Sequence, residues 1–308
     1  MRKIVQHTFG GPEVLELHEA DEPRPGAGEV LVRVGGAGVN PADAGIRGGY
    51  WPILGDPPFT VGWDVAGTVE WVGAGVTAFA VGDRVFGMPR FPAAAQAYAE
   101  LVVAPAGDLA RTPDALTDVQ AGALPLAGLT AWQALVETAA ISAGQRVLIQ
   151  AAGGGVGHLA VQLAKARGAY VVASASPAKS GFVRSLGADE VLDYTAGKLI
   201  DGLALVDVIL DPLGSPNTQT VLPLVKPDGV VVSLLDVDDD ARAIAQQRGV
   251  RLERILVHPS GGQLSQLAEL AAAGQLRPQV AATFPLAKAG DAHRALTERP
   301  AGKIVLVP

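Results

Sequence analysis

Apolar positions in the first third of the chain come in short runs, at 3–5, 15–17, 29–34, 67–72, 84–88 and 97–103. Turn formers separate them: Phe9-Gly10-Gly11-Pro12, Pro23-Arg24-Pro25-Gly26, Gly73-Ala74-Gly75 and Val81-Gly82-Asp83. Short strands punctuated by Gly and Pro predict a β-barrel or sandwich. Residues 39–58 differ. Asn40-Pro41-Ala42-Asp43, Arg47-Gly48-Gly49-Tyr50 and Asp56-Pro57-Pro58 crowd together there and read as a loop. Between 117 and 137 the period becomes helical, with Thr117 or Asp118 capping a first helix and 126–137 forming a second.

From 146 onward strands and helices alternate, as in a parallel sheet. Strands are predicted at 147–149, 171–173, 190–193, 206–210, 229–235 and 252–257. Helices are predicted at 156–166, 178–186, 218–225 and 239–248. Six strands make a full dinucleotide-binding sheet. A helix at 262–273, a strand at 280–284, a helix at 287–297 and a last strand at 303–307 follow. The last strand is most naturally returned to the N-terminal β domain. The predicted organisation is therefore α/β: a doubly wound Rossmann sheet, 121–264, inserted into a β-barrel domain, 1–120 completed by 265–308.

The first strand–helix junction of that sheet carries Ala152-Gly153-Gly154-Gly155-Val156-Gly157. Gly154 lets backbone approach a pyrophosphate, Gly157 lets helix and strand pack closely, and the free N–H groups at the helix start face the phosphate charge. Gly155 and Val156 complete the turn. Ala152 stands where the strictest fingerprint has its first glycine. A tight turn in any doubly wound protein would use the same glycines, so the flanking strands and helix carry the assignment.

Composition narrows the chemistry. Cysteine is absent, which excludes disulfides, thiolate metal sites and cysteine nucleophiles. With 24 basic and 31 acidic residues the net charge is −7, unlike a nucleic-acid-binding surface. No apolar run is long enough to span a membrane, and the N-terminal residues lack a signal-peptide core, so a cytoplasmic protein is expected. The five histidines, His7, His18, His158, His258 and His293, show no ligand spacing, and His158 reads as a packing or capping residue on the Rossmann helix.

Six ordered motifs span nearly the whole chain: Gly38-Val39-Asn40-Pro41-Ala42-Asp43, Val61-Gly62-Trp63-Asp64-Val65-Ala66-Gly67, Val81-Gly82-Asp83-Arg84-Val85, Leu124-Pro125-Leu126-Ala127-Gly128-Leu129-Thr130-Ala131-Trp132, the glycine turn, and Gly302-Lys303-Ile304-Val305-Leu306. Together they resemble the zinc-independent quinone oxidoreductase branch of the medium-chain dehydrogenase/reductase superfamily. The resemblance implies that the N-terminal β domain is GroES-like. Zinc alcohol dehydrogenases of that superfamily place a Cys near Asn40 and Gly-His-Glu at Gly62-Trp63-Asp64. The substitutions here imply a metal-free site. The resemblance further implies Thr130 on the nicotinamide side, Ser233 and Leu234 lining the nicotinamide pocket, Tyr194 near the adenosine phosphate, Asn40 beside the nicotinamide ribose and Lys303 beside the cleft. It also implies a homodimer paired through the last Rossmann strand, where 252–257 is apolar.

About twenty residues past the turn, where an acid would bind ribose hydroxyls, stands Ala173-Ser174-Ala175-Ser176-Pro177-Ala178-Lys179. It contains no Asp or Glu. Ser174, Ser176 and Lys179 instead suit a 2′-phosphate, which points to NADPH. A metal-free reductase must activate its carbonyl by hydrogen bonds or rely on the acceptor's own electrophilicity. A quinone is already electrophilic, so hydride transfer to a quinone is expected, with an α,β-unsaturated carbonyl as the alternative acceptor. A non-catalytic NADPH-binding sensor or structural protein is the reading of another class. Asn40 and Tyr50 are the candidates to polarise the acceptor oxygen, with Asp43 orienting the loop or Arg47. Trp51 and Phe59 are placed to stack on a planar ring.

Overall fold

The computed structural model describes residues 1–196 and 203–308. They form two units, Met1–Leu129 with His258–Pro308, and Thr130–Val257.

In the first unit, β1 (Arg2–Val5) and β2 (Glu16–Glu19) make an antiparallel pair. β3 (Glu29–Val39) is the spine: its first half pairs with β4 (Val65–Val72) and β6 (Leu101–Pro105). Bulges at Leu31/Val32 and Val34/Gly36 bend it, so alternate neighbours along its length belong to different parts of the sheet. β5 (Arg84–Gly87) and β7 (Leu109–Arg111) continue beyond β4. Val30, Val32, Val65, Phe86 and Tyr98 are buried among these strands.

Residues 41–47, expected as loop, form helix α1 (Pro41–Arg47). The reason is local. Pro41 sits in the first turn, where its missing N–H and fixed φ suit a helix start, and the Asn40 N–H donates to Asp43 Oδ2 at 2.7 Å. The features that mark a turn also mark this helix N-terminus. Helix α2 (Asp118–Gly122) is capped by Thr117, whose hydroxyl accepts from Gln120 N at 3.2 Å, and α3 (Pro125–Trp132) follows.

The second unit holds a six-stranded parallel sheet: β8 (Arg146–Ile149), β9 (Tyr170–Ala175), β10 (Glu190–Asp193), β11 (Val206–Asp211), β12 (Val225–Ser233) and β13 (Arg251–Arg254). Its order is β10-β9-β8-β11-β12-β13, the doubly wound arrangement with its reversal between β8 and β11. Helices α4 (Gly157–Ala166), α5 (Pro177–Ser185), α6 (Asn217–Val221) and α7 (Asp239–Gln247) cross over between strands. Leu148, Val172, Ile209 and Val231, one from each of four adjacent strands, pack with Val221, Leu222, Ala241 and Ala245. β13 is an edge strand of four residues and reads Arg-Leu-Glu-Arg, shorter and more charged than expected.

The chain then returns to the first unit through α8 (Gly261–Ala272), β14 (Val280–Pro285), α9 (Ala289–Thr297) and β15 (Lys303–Val307). β15 pairs antiparallel with β3, as Ile304↔Val39 to Leu306↔Ala37. The main sheet runs β14-β15-β3-β4-β5-β7 with β6 on β3, an open path, so the ladders of the described residues do not close into the expected barrel. Residues 121–129 and 258–264, assigned above to the Rossmann domain, group with the first unit. There α2 packs on β3 and β4, and α8 packs on β7.

Candidate active site

Two polar constellations stand out, one in each unit. In the second unit the glycine turn joins β8 to α4. Ala151 takes a left-handed conformation, φ 48°, and its carbonyl receives the Gly154 N–H at 2.9 Å. A Cβ on Gly157 would lie 2.7 Å from Ala152 Cα and closer still to the Ala151 carbonyl oxygen, so only glycine lets α4 begin there. The cradle that a side chain would fill is present, and Ala152, Gly154, Gly155, Val156 and Gly157 fit a dinucleotide pyrophosphate. His158 is buried and its Nδ1 lies 2.9 Å from the Gly154 carbonyl, so it braces the turn.

Ser174 is drawn inward. It is buried, its Oγ accepts the Ala151 N–H at 3.2 Å and its carbonyl accepts the Ala152 N–H at 3.0 Å. The hydroxyl expected to meet a phosphate instead fixes the back of the glycine turn. Ser176 sits at the start of α5 and makes no side-chain cap there. Lys179 is brought onto the turn: a Cβ on Gly153 would come 2.7 Å from its Cδ, so its aliphatic stem lies across Gly153. Tyr194, in a short helical turn after β10, is half-exposed. Thr130 is buried. Ser233 is also buried, with its hydroxyl donating to the Leu235 carbonyl at 3.0 Å, and Leu234 N–H bonds to the Asp211 carbonyl at 2.9 Å.

Sequence reasoning missed a network at the β8/β11 reversal. Asp211, fully buried, accepts from Leu213 N at 2.9 Å, Asn217 Nδ2 at 3.1 Å and Thr218 Oγ1 at 2.6 Å. Asn217 also donates to Gln150 Oε1 at 2.9 Å, next to the glycine turn. The only sequence signal was an Asp ending a strand at the switch point, where open α/β sheets bind ligands.

In the first unit Lys303, expected beside a cleft, is 4% exposed and lies at the start of β15. Its ammonium donates to the Val39 carbonyl at 3.1 Å, to Asn40 Oδ1 and to Asp64 Oδ2 at 3.1 Å. Asp64, fully buried, also accepts Asn40 Nδ2 at 2.9 Å and the Leu126 N–H of α3 at 2.6 Å. Gly38 has no room for a Cβ beside Asp64 and the Gly122 carbonyl, so backbone closes over the ion pair. Asn40 is thereby locked: its amide nitrogen serves Asp64 and the Gly38 carbonyl, and its oxygen serves Lys303. The expectation that Asn40 polarises a substrate oxygen is corrected, since its donors are committed.

Asp43 does not orient Arg47 directly. Its Oδ2 accepts the Asn40 N–H at 2.7 Å and the Tyr98 hydroxyl at 3.0 Å, while its Oδ1, buried, has no partner. Burial pushes its carboxyl up to about 7, against the opposing pull of the Asn40 and Tyr98 hydrogen bonds. Tyr98 also lies 3.0 Å from His293 Nε2, and His293 Nδ1 lies 3.0 Å from Arg47 Nη1. Arg47 only donates, so Nδ1 must accept, and neutral His293 carries its proton on Nε2. Burial, aided by the Arg47 charge, holds His293 down to about 3 and keeps it neutral. Donors then run one way, Arg47 to His293 to Tyr98 to Asp43. Tyr98 itself packs against Gly62, whose φ of 99° and lack of a side chain make the space.

Tyr50 is 89% exposed. Trp51 packs on Phe91 with ring centroids 6.0 Å apart, and Phe59 on Phe9 at 6.2 Å. Antiparallel pairing of β1 and β2 brings His7, Glu16 and His18 together, a proximity that their spacing in the sequence does not show.

Two family models match this chain, an alcohol dehydrogenase GroES-like domain over residues 26–114 and a zinc-binding dehydrogenase over 186–306. Zinc does not fit the buried donors found here. Trp63 is enclosed with its Nε1 donating to the Ala93 carbonyl at 2.8 Å, and Asn40 and Asp64 already surround the Lys303 ammonium. The quinone oxidoreductase of Rattus norvegicus is 32% identical over 324 residues, covering 100% of this chain and 98% of that protein. The mitochondrial NAD(P)H oxidoreductase RTN4IP1 of Danio rerio is 33% identical, covering 90% and 83%. The Escherichia coli quinone oxidoreductase complexed with NADPH superposes with a TM-score of 0.90 at 31% identity, covering 100% of both chains.

Proposed function

Because the chain belongs to the zinc-independent quinone oxidoreductase branch of the medium-chain dehydrogenase/reductase superfamily, and so is an NAD(P)H-dependent oxidoreductase acting on a small molecule, we propose that it reduces a quinone with NADPH. The observation that carries this reading is the Lys303 ammonium held by Val39, Asn40 and Asp64. A donor set already filled by a fixed cation has no place for a Lewis-acid metal, which favours an acceptor that is electrophilic on its own.

NADPH, when bound, supplies the hydride. The backbone of Ala152, Gly154, Gly155, Val156 and Gly157 receives the pyrophosphate. Ser176, Lys179 and Tyr194 receive the 2′-phosphate end, with Ser174 holding the turn behind them. Thr130, Ser233 and Leu234 serve the nicotinamide. Within the first unit Asn40 and Lys303 are held rigidly with Asp64, and Asp43 fixes Asn40 by accepting its backbone N–H. The exposed Tyr50 hydroxyl, or solvent, returns a proton to the reduced oxygen. β13, open on one side, is the edge through which a homodimer would pair.

Purified protein offered NADPH with a benzoquinone, an ortho-quinone or a 2-alkenal is expected to oxidise NADPH fastest with a quinone. Faster turnover with the alkenal would replace the quinone reading by enone reduction. No oxidation with any acceptor would overturn both. Lys179→Ala is expected to raise KM for NADPH at least about tenfold, the loss of one charge-assisted hydrogen bond, and to leave NADH unchanged. Equal effects on the two cofactors would remove Lys179 from the 2′-phosphate site.

A further inference from the structure

The β1–β2 pair carries a cluster that the oxidoreductase reaction does not use. Register pairs Val5 with Glu16 and Lys3 with His18, so Glu16 and His18 point to one face of the ladder. His7, two residues beyond Val5, extends the same alternation. The result is a convergence of side chains from both strands. The His7 and His18 rings stand 5.3 Å apart, His18 Nε2 lies 3.2 Å from Glu16 Oε2, and one ligand atom from each of the three lies within 4.8 Å of the others.

We propose that His7, Glu16 and His18 form a surface site for a divalent transition-metal ion of the zinc type. Two imidazoles and one carboxylate are the donor set such ions take when solvent completes the coordination. With metal–ligand bonds of about 2.0–2.2 Å, tetrahedral ligand atoms stand roughly 3.4 Å apart. The Glu16–His18 pair already has that spacing, and the exposed His7 ring needs only a side-chain adjustment to complete it. Lys3, the cation on the same face, reaches away toward Gln96 Oε1 at 3.4 Å. The site is separate from the zinc position of related dehydrogenases and independent of the proposed reaction.

Tag-free protein, stripped with chelator, is titrated with ZnCl2 by calorimetry, and with CoCl2 while visible absorption is followed. One equivalent of zinc is expected to bind, with Co2+ developing ligand-field bands, whereas MgCl2 gives no heat. His7→Ala, His18→Ala and Glu16→Gln are each expected to lose at least about tenfold in affinity, the least that losing even an outer-shell partner brings. All three positions are at least partly open to solvent, and unchanged circular dichroism verifies folding in each variant. No zinc binding by the wild type, or wild-type affinity in any of the three variants, overturns the site.

Discussion

Lys303→Met is expected to destabilise the first unit by about 3–5 kcal/mol, because it leaves the Asp64 carboxylate buried without its cation. Asp64 has no exposure, and the ammonium 3.1 Å away is, among the described residues, the one positive charge that bonds to it. The remaining partners, Asn40 Nδ2 and the Leu126 N–H, satisfy hydrogen bonding but supply no net charge. Asp64→Asn with Lys303→Met removes both charges and should recover most of the loss. Breaking a buried pair is far worse than replacing it. Urea unfolding of the wild type, the single variants Lys303→Met and Asp64→Asn, and the double variant, followed by tryptophan fluorescence, measures the coupling. A single-variant loss below 1 kcal/mol, or a double variant no better than Lys303→Met, would show that the pair is not electrostatically buried. The experiment is performed without nucleotide, so any role of Lys303 in binding is kept out of the result.

That ion pair also shows where sequence reading stops. The two-residue period of the β segments, the longer period after 117 and the strand–turn–helix around Gly157 express local backbone preferences. They are legible because the residues that decide them are neighbours in the chain. Lys303 reads as an ordinary charge before a strand. Its burial follows only from β15 pairing with β3, which brings it to a residue 263 positions away. The same holds for Tyr98, 55 residues from Asp43 and 195 from His293. No spacing rule links such residues before the sheet is built. Ser174 illustrates a subtler failure. It stands twenty residues past Gly154, where a ribose contact is expected, but side chains alternate along a strand, and here the hydroxyl points to the turn. Asn40-Pro41 was ambiguous for a different reason: turn and helix start share the same first step, and tertiary contacts through Asp43 decide between them.

The Asp43–Tyr98–His293 chain should be visible as two opposing proton linkages. Asp43 is raised from its ordinary 3.8 to about 7, so the folded state holds a proton that the unfolded chain has released. Its contribution to stability is complete below pH 3.8 and is lost as pH rises to about 7, a change of about 4 kcal/mol. His293 is lowered from 6.5 to about 3, so its contribution is complete above pH 6.5 and is lost as pH falls toward 3, by a similar amount. Between 3.8 and 6.5 the two slopes have opposite signs and cancel. The unpartnered Asp43 Oδ1 makes the arrangement self-consistent, since a proton there leaves Oδ2 free to accept from Asn40 and Tyr98. Asp43→Asn removes one slope, so relative to wild type it should gain about 4 kcal/mol between pH 4 and 7. His293→Gln keeps a donor for Tyr98 and an acceptor for Arg47. It should lose ground to wild type over the same range as pH rises. Differences between proteins cancel the titrating groups that lie away from this chain of hydrogen bonds. Denaturant unfolding at half-unit pH steps therefore reads the two linkages directly. Stability differences that stay flat with pH in both variants would mean that neither group changes its proton affinity on folding.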